Sequence, residues 1–208
     1  MGVKERKAME REQRRNQILD AARYLLFHSG IKNISMSKIA GQAELGVGTI
    51  YFYYQNKEEI FVALQEEGLS LLHDQIVTIS NKRISQKKKL IQAAKAYCRF
   101  SVEHKNYFDI INYFLSSSTV FFKPDLKNRI DQSGYKILSV IRKIVEKGIE
   151  KGQFKQTDSE KYTILFWATI HGVLQTRKME ATLLKDNGFD GLFEYSVNQL
   201  IHTLTQQG

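Results

Sequence analysis

Apolar residues of the N-terminal region recur at helical spacing. Between residues 11 and 29 they occupy positions i, i+3, i+4, i+7 and i+8, namely Ile18, Ala21, Ala22, Leu25 and Leu26. This stripe predicts an amphipathic helix that buries one face. Gly30 predicts its end, because glycine readily adopts the backbone conformation that closes a helix C-terminus.

Two shorter helices and a tight turn are predicted next. Ser35 can cap a helix over "MSKIAGQA", and the turn "ELG" leads into a helix that starts near Val47. Asn56 can then open a fourth helix, with Glu59 placed to complete a capping box. Such spacing is typical of a helix-turn-helix, whose third helix enters the major groove of DNA. A three-helix core without a DNA function would have the same spacing, so the outward-facing residues must decide between the two.

The remaining sequence predicts longer helices joined by short loops, at residues 57–80, 85–104, 106–117, 124–151, 158–185 and 188–205. Pro124 suits a first helical position, and "TDSE" at Thr157 to Glu160 predicts a capping box. The chain is therefore expected to be all-α, with about nine helices. We expect a helix-turn-helix DNA-binding domain at residues 1–56 and a larger helical ligand-binding and dimerisation domain at residues 57–208.

The charge distribution favours an anionic partner for the N-terminal segment. The 208 residues have a formal net charge of +9, of which residues 1–57 contribute +5 and the rest +4. A concentration of positive charge in about a quarter of the chain predicts an N-terminal anion-binding surface.

Composition excludes several other classes of protein. The single cysteine, Cys98, excludes an intrachain disulfide, and the five histidines lack the spacing of metal ligands, so neither metal nor cofactor is expected. The start of the chain is charged and the apolar runs are short, which favours a cytoplasmic protein without a membrane partner. The sequence also lacks a nucleophile elbow, a phosphate-cradling glycine loop and an HExxH pair, so we do not expect an enzyme.

The stretch "GVGTIYFYYQNKEEI" at residues 46–60 combines four aromatic rings with a lysine. On a helix that starts near Val47, Ile50 and Tyr54 lie four apart and would face the two preceding helices. The hydroxyls of Thr49, Tyr51 and Tyr53 would remain available to phosphate oxygens. These outward hydroxyls favour the DNA-binding interpretation of the three-helix pattern.

The segment "SMSKIAGQAELGVGTIYFYYQNKEEIF" resembles the DNA-binding domain of the tetracycline-repressor (TetR) family of bacterial transcription regulators. The resemblance covers roughly residues 11–62, and a looser likeness continues at "FWATIHGVLQ", residues 166–175. It implies backbone contacts from Ser35, Ser37 and Lys38. It further implies base contacts from Val47, Gly48 and Tyr51, and phosphate contacts from Thr49, Tyr53 and Lys57.

Two residues depart from the pattern that many members of the family share. Glu44 stands in the turn where glycine is common, so it must accept the turn geometry or shift it. Gly46 stands where a serine often caps the recognition helix, which predicts a weaker cap. Both departures make the operator sequence harder to infer.

The resemblance also implies a homodimer formed through the last two helices and a small-molecule pocket in the larger domain. Ala168 and Gly172 lie four residues apart and would allow close helix approach at a dimer interface, although an intramolecular crossing would use them equally well. The predicted ligand-binding residues are Tyr97, Phe100, Phe108, Phe114, Phe166, Trp167 and His171. Their alternative role is as core residues. Aromatic density favours an apolar or amphipathic organic ligand.

The functional hypothesis is a ligand-responsive transcriptional regulator. By resemblance it would be a repressor that binds a palindromic operator as a homodimer and is released by a small effector. The alternative is a nonspecific or architectural DNA-binding protein without an effector, which the basic arm "VKERKAMEREQRR" favours.

Overall fold

The structure is a computed structural model that describes residues 2–116, 124–183 and 188–205. Phe121 and Phe122, two further aromatic residues of the larger domain, lie outside this part of the chain. Within it the secondary structure is entirely helical. The helices are α1 (Val3–Ser29), α2 (Met36–Gln42), α3 (Val47–Tyr53), α4 (Lys57–Ser80), α5 (Gln86–Glu103), α6 (Lys105–Ser116), α7 (Pro124–Glu150), α8 (Ser159–Thr176), α9 (Glu180–Leu183) and α10 (Gly188–Thr205). The predicted all-α fold is confirmed.

Two helix boundaries differ from the prediction. Helix α1 starts at Val3 rather than near Arg11, because residues 4–13 are exposed helix formers that have no apolar stripe to reveal them. The single helix predicted at 158–185 is instead interrupted by a 3₁₀ turn at Arg177–Met179. Tertiary contacts accompany this break, since Arg177 lies over the Phe189 ring and Glu180 accepts the Phe189 N–H at 2.9 Å.

The predicted helix caps have mixed outcomes. Ser35 caps α2 as expected, because its hydroxyl accepts the Lys38 N–H at 3.3 Å. Asn56 accepts the Glu59 N–H at 2.9 Å, but the Glu59 carboxylate returns its bond to the N–H of Gln55 rather than to that of Asn56.

The capping box predicted to begin at Thr157 is wrong by one residue. The Asp158 carboxylate caps α8 and accepts the N–H groups of both Glu160 and Lys161. A carboxylate that accepts two backbone N–H groups satisfies more of the helix terminus than a single hydroxyl bond would.

Packing divides the chain into two units. The first unit contains Met1–Gly68 and His104–Asp131, and the second contains Leu69–Glu103 and Gln132–Gly208. Helices α4 and α7 therefore contribute residues to both units. The boundary expected between residues 56 and 57 concerns function and stays a prediction. By packing, the unit that holds the N-terminal helices also includes α6.

Each unit has its own apolar core. In the first unit α2 packs against both α1 and α3, and Ile18, Leu26, Ile39 and Ile50 are fully buried. In the second unit α8 packs against α10, and both contact α5. The Tyr162 hydroxyl is satisfied inside this second core, because it donates to the carbonyl oxygen of Leu200 at 2.8 Å. These cores fix which faces of α3 and α8 remain outward.

Candidate nucleic-acid interface

The turn between α2 and α3 is closed by backbone hydrogen bonds. The Leu45 N–H donates to the Ala40 carbonyl at 3.0 Å, and the Glu44 N–H donates to the Gly41 carbonyl at 3.2 Å. Glu44 has a φ of 54°, the left-handed conformation that glycine usually supplies. Glu44 therefore accepts the turn geometry and does not shift it. Gly46 caps α3 without a side-chain bond, as its lack of a side chain predicts.

Helix α3 has a buried side and an exposed side. Ile50 and Tyr54 are buried, as their spacing predicts. Val47, Tyr51 and Phe52 are exposed by 42%, 52% and 74%, which is unusual for large apolar and aromatic side chains. A Cβ placed on Gly48 would meet no described atom within 4 Å beyond the adjacent residues and the backbone of its own helix. This side of α3 is therefore accessible to the groove of a DNA duplex.

The other predicted phosphate contacts lie at the margins of this exposed side. Thr49 and Tyr53 are half-buried, and the Tyr53 ring packs edge-on against Phe52 at 5.1 Å between centroids. Lys57 is half-buried in the first turn of α4. Their roles in DNA binding stay predictions.

The residues at the start of α2 are already held by bonds within the protein. The hydroxyls of Ser35 and Ser37 lie 3.1 Å apart, and Ser35 also caps the helix. The ammonium of Lys38 donates to the Asn33 carbonyl at 2.9 Å. Ser37 and Lys38 are exposed, so these bonds orient both side chains and leave them accessible to a phosphate.

Tyr54 is a phenol of the aromatic stretch that is buried within the protein and therefore cannot contact DNA. Its ring is 2% exposed and lies beneath the guanidinium of Arg15, 4.8 Å from the ring centroid. Its hydroxyl has no hydrogen-bond partner among the described residues, and burial raises the pKa of Tyr54. This side chain holds α3 against α1 through apolar and cation–π contact.

Three carboxylates on α4 join it to other helices of the first unit, and the sequence patterns did not reveal them. Glu67 accepts bonds from Arg23 of α1 and Tyr107 of α6. Glu66 pairs with Arg129 of α7 at 2.5 Å, and Glu58 accepts a 3.4 Å bond from Tyr113 of α6. In the sequence these glutamates are marked only by the acidic character of one helix. Such a pattern normally indicates a solvated helix face.

In the second unit, α8 presents an exposed apolar strip. Ile164 and Leu165 are 50% and 53% exposed, and Ala168 and Gly172 continue the strip along the same helix. A Cβ placed on Gly172 would meet no described atom within 4 Å beyond the adjacent residues and the backbone of α8. The intramolecular crossing that Ala168 and Gly172 could have formed is therefore not observed at Gly172. On the neighbouring α10, Tyr195 is 63% exposed.

The predicted ligand-binding residues fall into two groups. Tyr97, Phe100, Trp167 and His171 lie together in the second unit, where Tyr97 hydrogen-bonds His171 Nδ1 at 2.9 Å and Trp167 stacks on His171. Phe166 also belongs to this unit and contacts Tyr162. Phe108 and Phe114 belong to the first unit.

The Tyr97–His171 pair is the polar part of an otherwise aromatic cluster. Burial lowers the pKa of His171 and raises that of Tyr97, so both side chains are neutral at pH 7. A neutral imidazole and a phenol can hydrogen-bond a carbonyl or hydroxyl without introducing a charge. Whether the cluster binds a ligand stays a prediction.

Neither a metal-binding cluster nor a membrane-spanning helix occurs among the described residues. No three histidine, cysteine, aspartate or glutamate side chains there are grouped so that they could hold a metal ion. Likewise, none of the described helices combines the length and apolar character needed to cross a membrane.

A helix-turn-helix with a buried scaffold side and an exposed reading side defines a DNA-binding regulator of transcription. Residues 18–64 match the model of the family described as "Bacterial regulatory proteins, tetR family". These residues therefore form a DNA-binding domain of the TetR type, which confirms the resemblance seen in the sequence.

Three known proteins illustrate the similarity. The "Fatty acid metabolism regulator protein" of Bacillus subtilis (strain 168) is 26% identical over 140 residues, covering 67% of this chain and 70% of that protein. The crystal structure of the transcriptional regulator FadR from Bacillus subtilis in complex with stearoyl-CoA has a TM-score of 0.71 and 23% identity, covering 90% of this chain and 98% of that chain. The fatty acid degradation regulator FadR from Bacillus halodurans has a TM-score of 0.70 and 23% identity, covering 93% and 97%. These two structures show that the fold is shared, and the relatives are regulators rather than enzymes.

Proposed function

We propose that this chain is a cytoplasmic repressor that binds a palindromic operator as a homodimer and leaves it when a small apolar or amphipathic molecule binds. The observation that most directly supports DNA recognition is the division of α3. Ile50 and Tyr54 hold the helix to its scaffold, while Val47, Tyr51 and Phe52 are exposed. A recognition helix requires this arrangement, because its outward residues must reach base edges in the major groove.

The homodimer proposal rests on the exposed strip of α8. Half-exposed Ile164 and Leu165 precede two small residues, Ala168 and Gly172, on the same helix. Apolar residues beside small ones suit close packing against a second helix. A two-fold dimer presents two identical recognition helices, so its operator would be an inverted repeat with half-sites about one DNA turn apart.

For the effector we propose a long-chain fatty acyl thioester as the first chemical class to test. Such a molecule combines an apolar chain with a polar carbonyl, and it agrees with the amphipathic ligand expected from aromatic density. The similarity to a protein named for fatty acid metabolism, and to a regulator solved with stearoyl-CoA, favours the same class. The neutral Tyr97–His171 pair would hydrogen-bond the carbonyl while Phe100 and Trp167 contact the chain.

Release from DNA would follow from a shift of populations. The effector would bind more tightly to a conformation in which the two recognition helices no longer match the half-sites. Thermodynamic reciprocity then requires operator DNA to weaken effector binding by the same factor. An acyl-CoA that bound the free protein and its operator complex equally tightly would contradict this mechanism.

DNA contacts can be tested by fluorescence anisotropy with an inverted repeat taken from the DNA that flanks the gene. Lys57→Ala and Tyr53→Phe should weaken operator binding, and Lys57→Ala should lower the salt slope by about 0.9, the value for one phosphate contact. Lys136→Ala is the matched control, because Lys136 is an exposed lysine on α7 in the second unit. Unchanged affinity in both α3–α4 variants, with the fold intact, would refute the proposed contacts.

Effector class can be tested by titrating stearoyl-CoA into the operator complex. We expect stearoyl-CoA to release the DNA and free coenzyme A to leave it bound, since only the former has an apolar chain. Tyr97→Phe removes the hydroxyl and should weaken release while preserving operator affinity. If stearoyl-CoA and free coenzyme A had the same effect, the acyl chain would not be what the protein senses.

The alternative is a nonspecific DNA-binding protein without an effector. It is favoured by residues 4–12 of α1, which form an exposed helix with Lys4, Arg6 and Lys7. Salt titration separates the two functions, because a specific regulator keeps a preference for its operator over random DNA at every salt concentration.

A further inference from the structure

A second concentration of positive charge lies in the second unit, away from the helix-turn-helix in sequence. It occupies residues 81–92, which span the α4–α5 loop and the first turns of α5, and residues 143–155, which span the last two turns of α7 and the segment that follows it. These two segments contain nine cations: Lys82, Arg83, Lys87, Lys88, Lys89, Lys143, Lys147, Lys151 and Lys155. They contain only two carboxylates, those of Glu146 and Glu150. The net charge of the two segments is therefore +7, whereas the net charge of the whole chain is +9.

The fold brings these two segments together. Lys89 is 7% exposed, and its ammonium donates to the carbonyl oxygen of Ser80 at 2.5 Å. Burial lowers the pKa of Lys89, and the nearby charges of Lys147 and Lys151 lower it further. In addition, the Gln86 N–H at the start of α5 donates to the Gln153 side chain at 2.8 Å. The positive charge of Lys89 on α5 therefore lies close to those of Lys147 and Lys151.

Intramolecular pairing does not neutralise this charge. Among the ion pairs of the described residues, none includes any of the nine cations. Lys82 instead donates to the neutral amide of Gln92. Of the two carboxylates, Glu146 pairs with Arg142 and accepts a bond from Ser159. The remaining lysines are exposed to solvent, apart from Lys89.

Helix stability accounts for only part of this arrangement. Lys147 lies in the last turn of α7, where a cation favourably meets the negative end of the helix dipole. Lys87, Lys88 and Lys89 lie in the first turn of α5, which contains no acidic residue. There the dipole is positive, so three lysines oppose it. An external anion would relieve both the dipole repulsion and the repulsion between the two helices.

We propose that the exposed cations of these segments, which we call the α5–α7 basic surface, form a second, sequence-independent contact for the backbone of duplex DNA. Lys143, Lys147 and Lys151 recur every four residues and span about 12 Å along the chain's helical rise. Duplex DNA presents one phosphate about every 1.7 Å of its axis, so several of its phosphates can contact the three lysines at once. A single phosphate could not span the same distance. Lysine ammonium groups act as hydrated point charges, which suits contact without base readout.

The side-chain composition of the surface favours duplex DNA over other polyanions. None of the exposed large apolar residues lies in residues 81–92 or 143–155, so the surface lacks the apolar side chains that insert into a lipid surface. It also lacks exposed aromatic rings on which unpaired bases could stack. Phosphate contact with an intact duplex is the interaction for which the surface has the required groups.

The test measures binding of the full-length protein to a duplex of about 30 base pairs without an inverted repeat, across a range of salt concentrations. Lys87→Gln with Lys88→Gln removes two charges from the basic surface. Lys136→Gln with Lys178→Gln removes two exposed lysine charges elsewhere in the second unit and has the same net charge. The first pair should reduce the slope of log K against log salt by about 1.8, and the control pair should leave it nearly unchanged. Circular dichroism and thermal unfolding establish that all variants are folded.

A combined variant separates this proposal from that of the helix-turn-helix. If both surfaces bind DNA independently, the slope losses from Lys57→Ala and from the Lys87–Lys88 pair should add. If only Lys57→Ala reduced the slope, the contact at the basic surface would be refuted and that at the helix-turn-helix would stand. If only the Lys87–Lys88 pair reduced it, the contact at the helix-turn-helix would be refuted and that at the basic surface would stand. Equal effects of the surface pair and the control pair would overturn the proposal, since net charge alone would explain them. Loss of binding to anionic phospholipid vesicles or to coenzyme A, with an unchanged DNA slope, would also overturn it.

Discussion

The hydroxyl of Tyr107 donates a hydrogen bond to Oε1 of Glu67 at 2.5 Å. The same carboxylate accepts two bonds from the guanidinium of Arg23, at 2.9 and 2.8 Å. Glu67 thereby joins α1, α4 and α6 in the first unit. The bond to Glu67 raises the pKa of Arg23, and burial together with that carboxylate raises the pKa of Tyr107 to about 12. Both shifts indicate that folding favours the charged guanidinium and the neutral phenol.

Tyr107→Phe should lower the free energy of unfolding by about 1 to 2 kcal/mol, because it removes a hydrogen bond to a charged group. Tyr135→Phe is the control, since Tyr135 is 56% exposed and a change there should stay within about 0.5 kcal/mol. Urea unfolding measures both. The contribution of Tyr107 is complete below the ordinary tyrosine pKa of about 10. It is lost as pH rises through about 12, so the difference from the variant should shrink there.

Two helical glycines should respond in opposite ways to substitution by alanine. A Cβ on Gly68 would lie 2.6 Å from Cβ of Tyr107, so Gly68→Ala should destabilise the protein by about 1 to 3 kcal/mol. A Cβ on Gly134 of α7 would meet no described atom within 4 Å beyond the adjacent residues and the backbone of α7, so Gly134→Ala should stabilise by about 0.5 to 1 kcal/mol. Thermal unfolding midpoints give the signs. Equal shifts of the unfolding midpoint in the two variants would mean that contact with Tyr107 does not restrict the size of the side chain at position 68.

Leu165→Glu should convert the proposed dimer to a monomer, because it places a charge in the exposed apolar strip of α8. Sedimentation velocity measures the change, and operator affinity should fall with it. Leu71→Glu is the matched control, since Leu71 is also exposed, by 41%, but lies on α4. If both variants sedimented like the unmodified protein, α8 would not form the dimer interface.

Asp158→Asn should reduce the acid sensitivity of the protein and still cap α8, because asparagine accepts the same backbone N–H groups. The N–H of Lys161 is the main cause of the lowered pKa of Asp158. A lowered carboxylate pKa gives stability that is complete above about pH 4, the ordinary range, and is lost as pH falls through the folded-state value. The variant should therefore lose less stability than the unmodified protein below pH 4, as measured by urea unfolding against pH. Identical acid profiles would show that the charge of Asp158 does not contribute.

The sequence predicted the local parts of the DNA-binding region well. Ser35 caps α2, Gly30 ends α1, and Ile50 and Tyr54 face inward, because capping and helical periodicity depend on residues within one or two turns. The Thr157 cap failed by one position, because two polar residues in succession could both accept the helix N–H groups. The start of α1 was missed, because an exposed helix has no apolar period to detect.

The sequence by itself determined the resemblance to the TetR DNA-binding domain, the helix-turn-helix and the two sides of α3, since all of these follow from short-range pattern. Only the tertiary structure decided that Glu67 meets Tyr107, forty residues away, and that lysines of α5 and α7 share one basic surface. The net charge of the C-terminal portion gave no sign of that surface, because the acidic residues that offset it in the sequence lie elsewhere in the fold. Contacts between distant segments depend on how helices pack, and no local spacing specifies that packing.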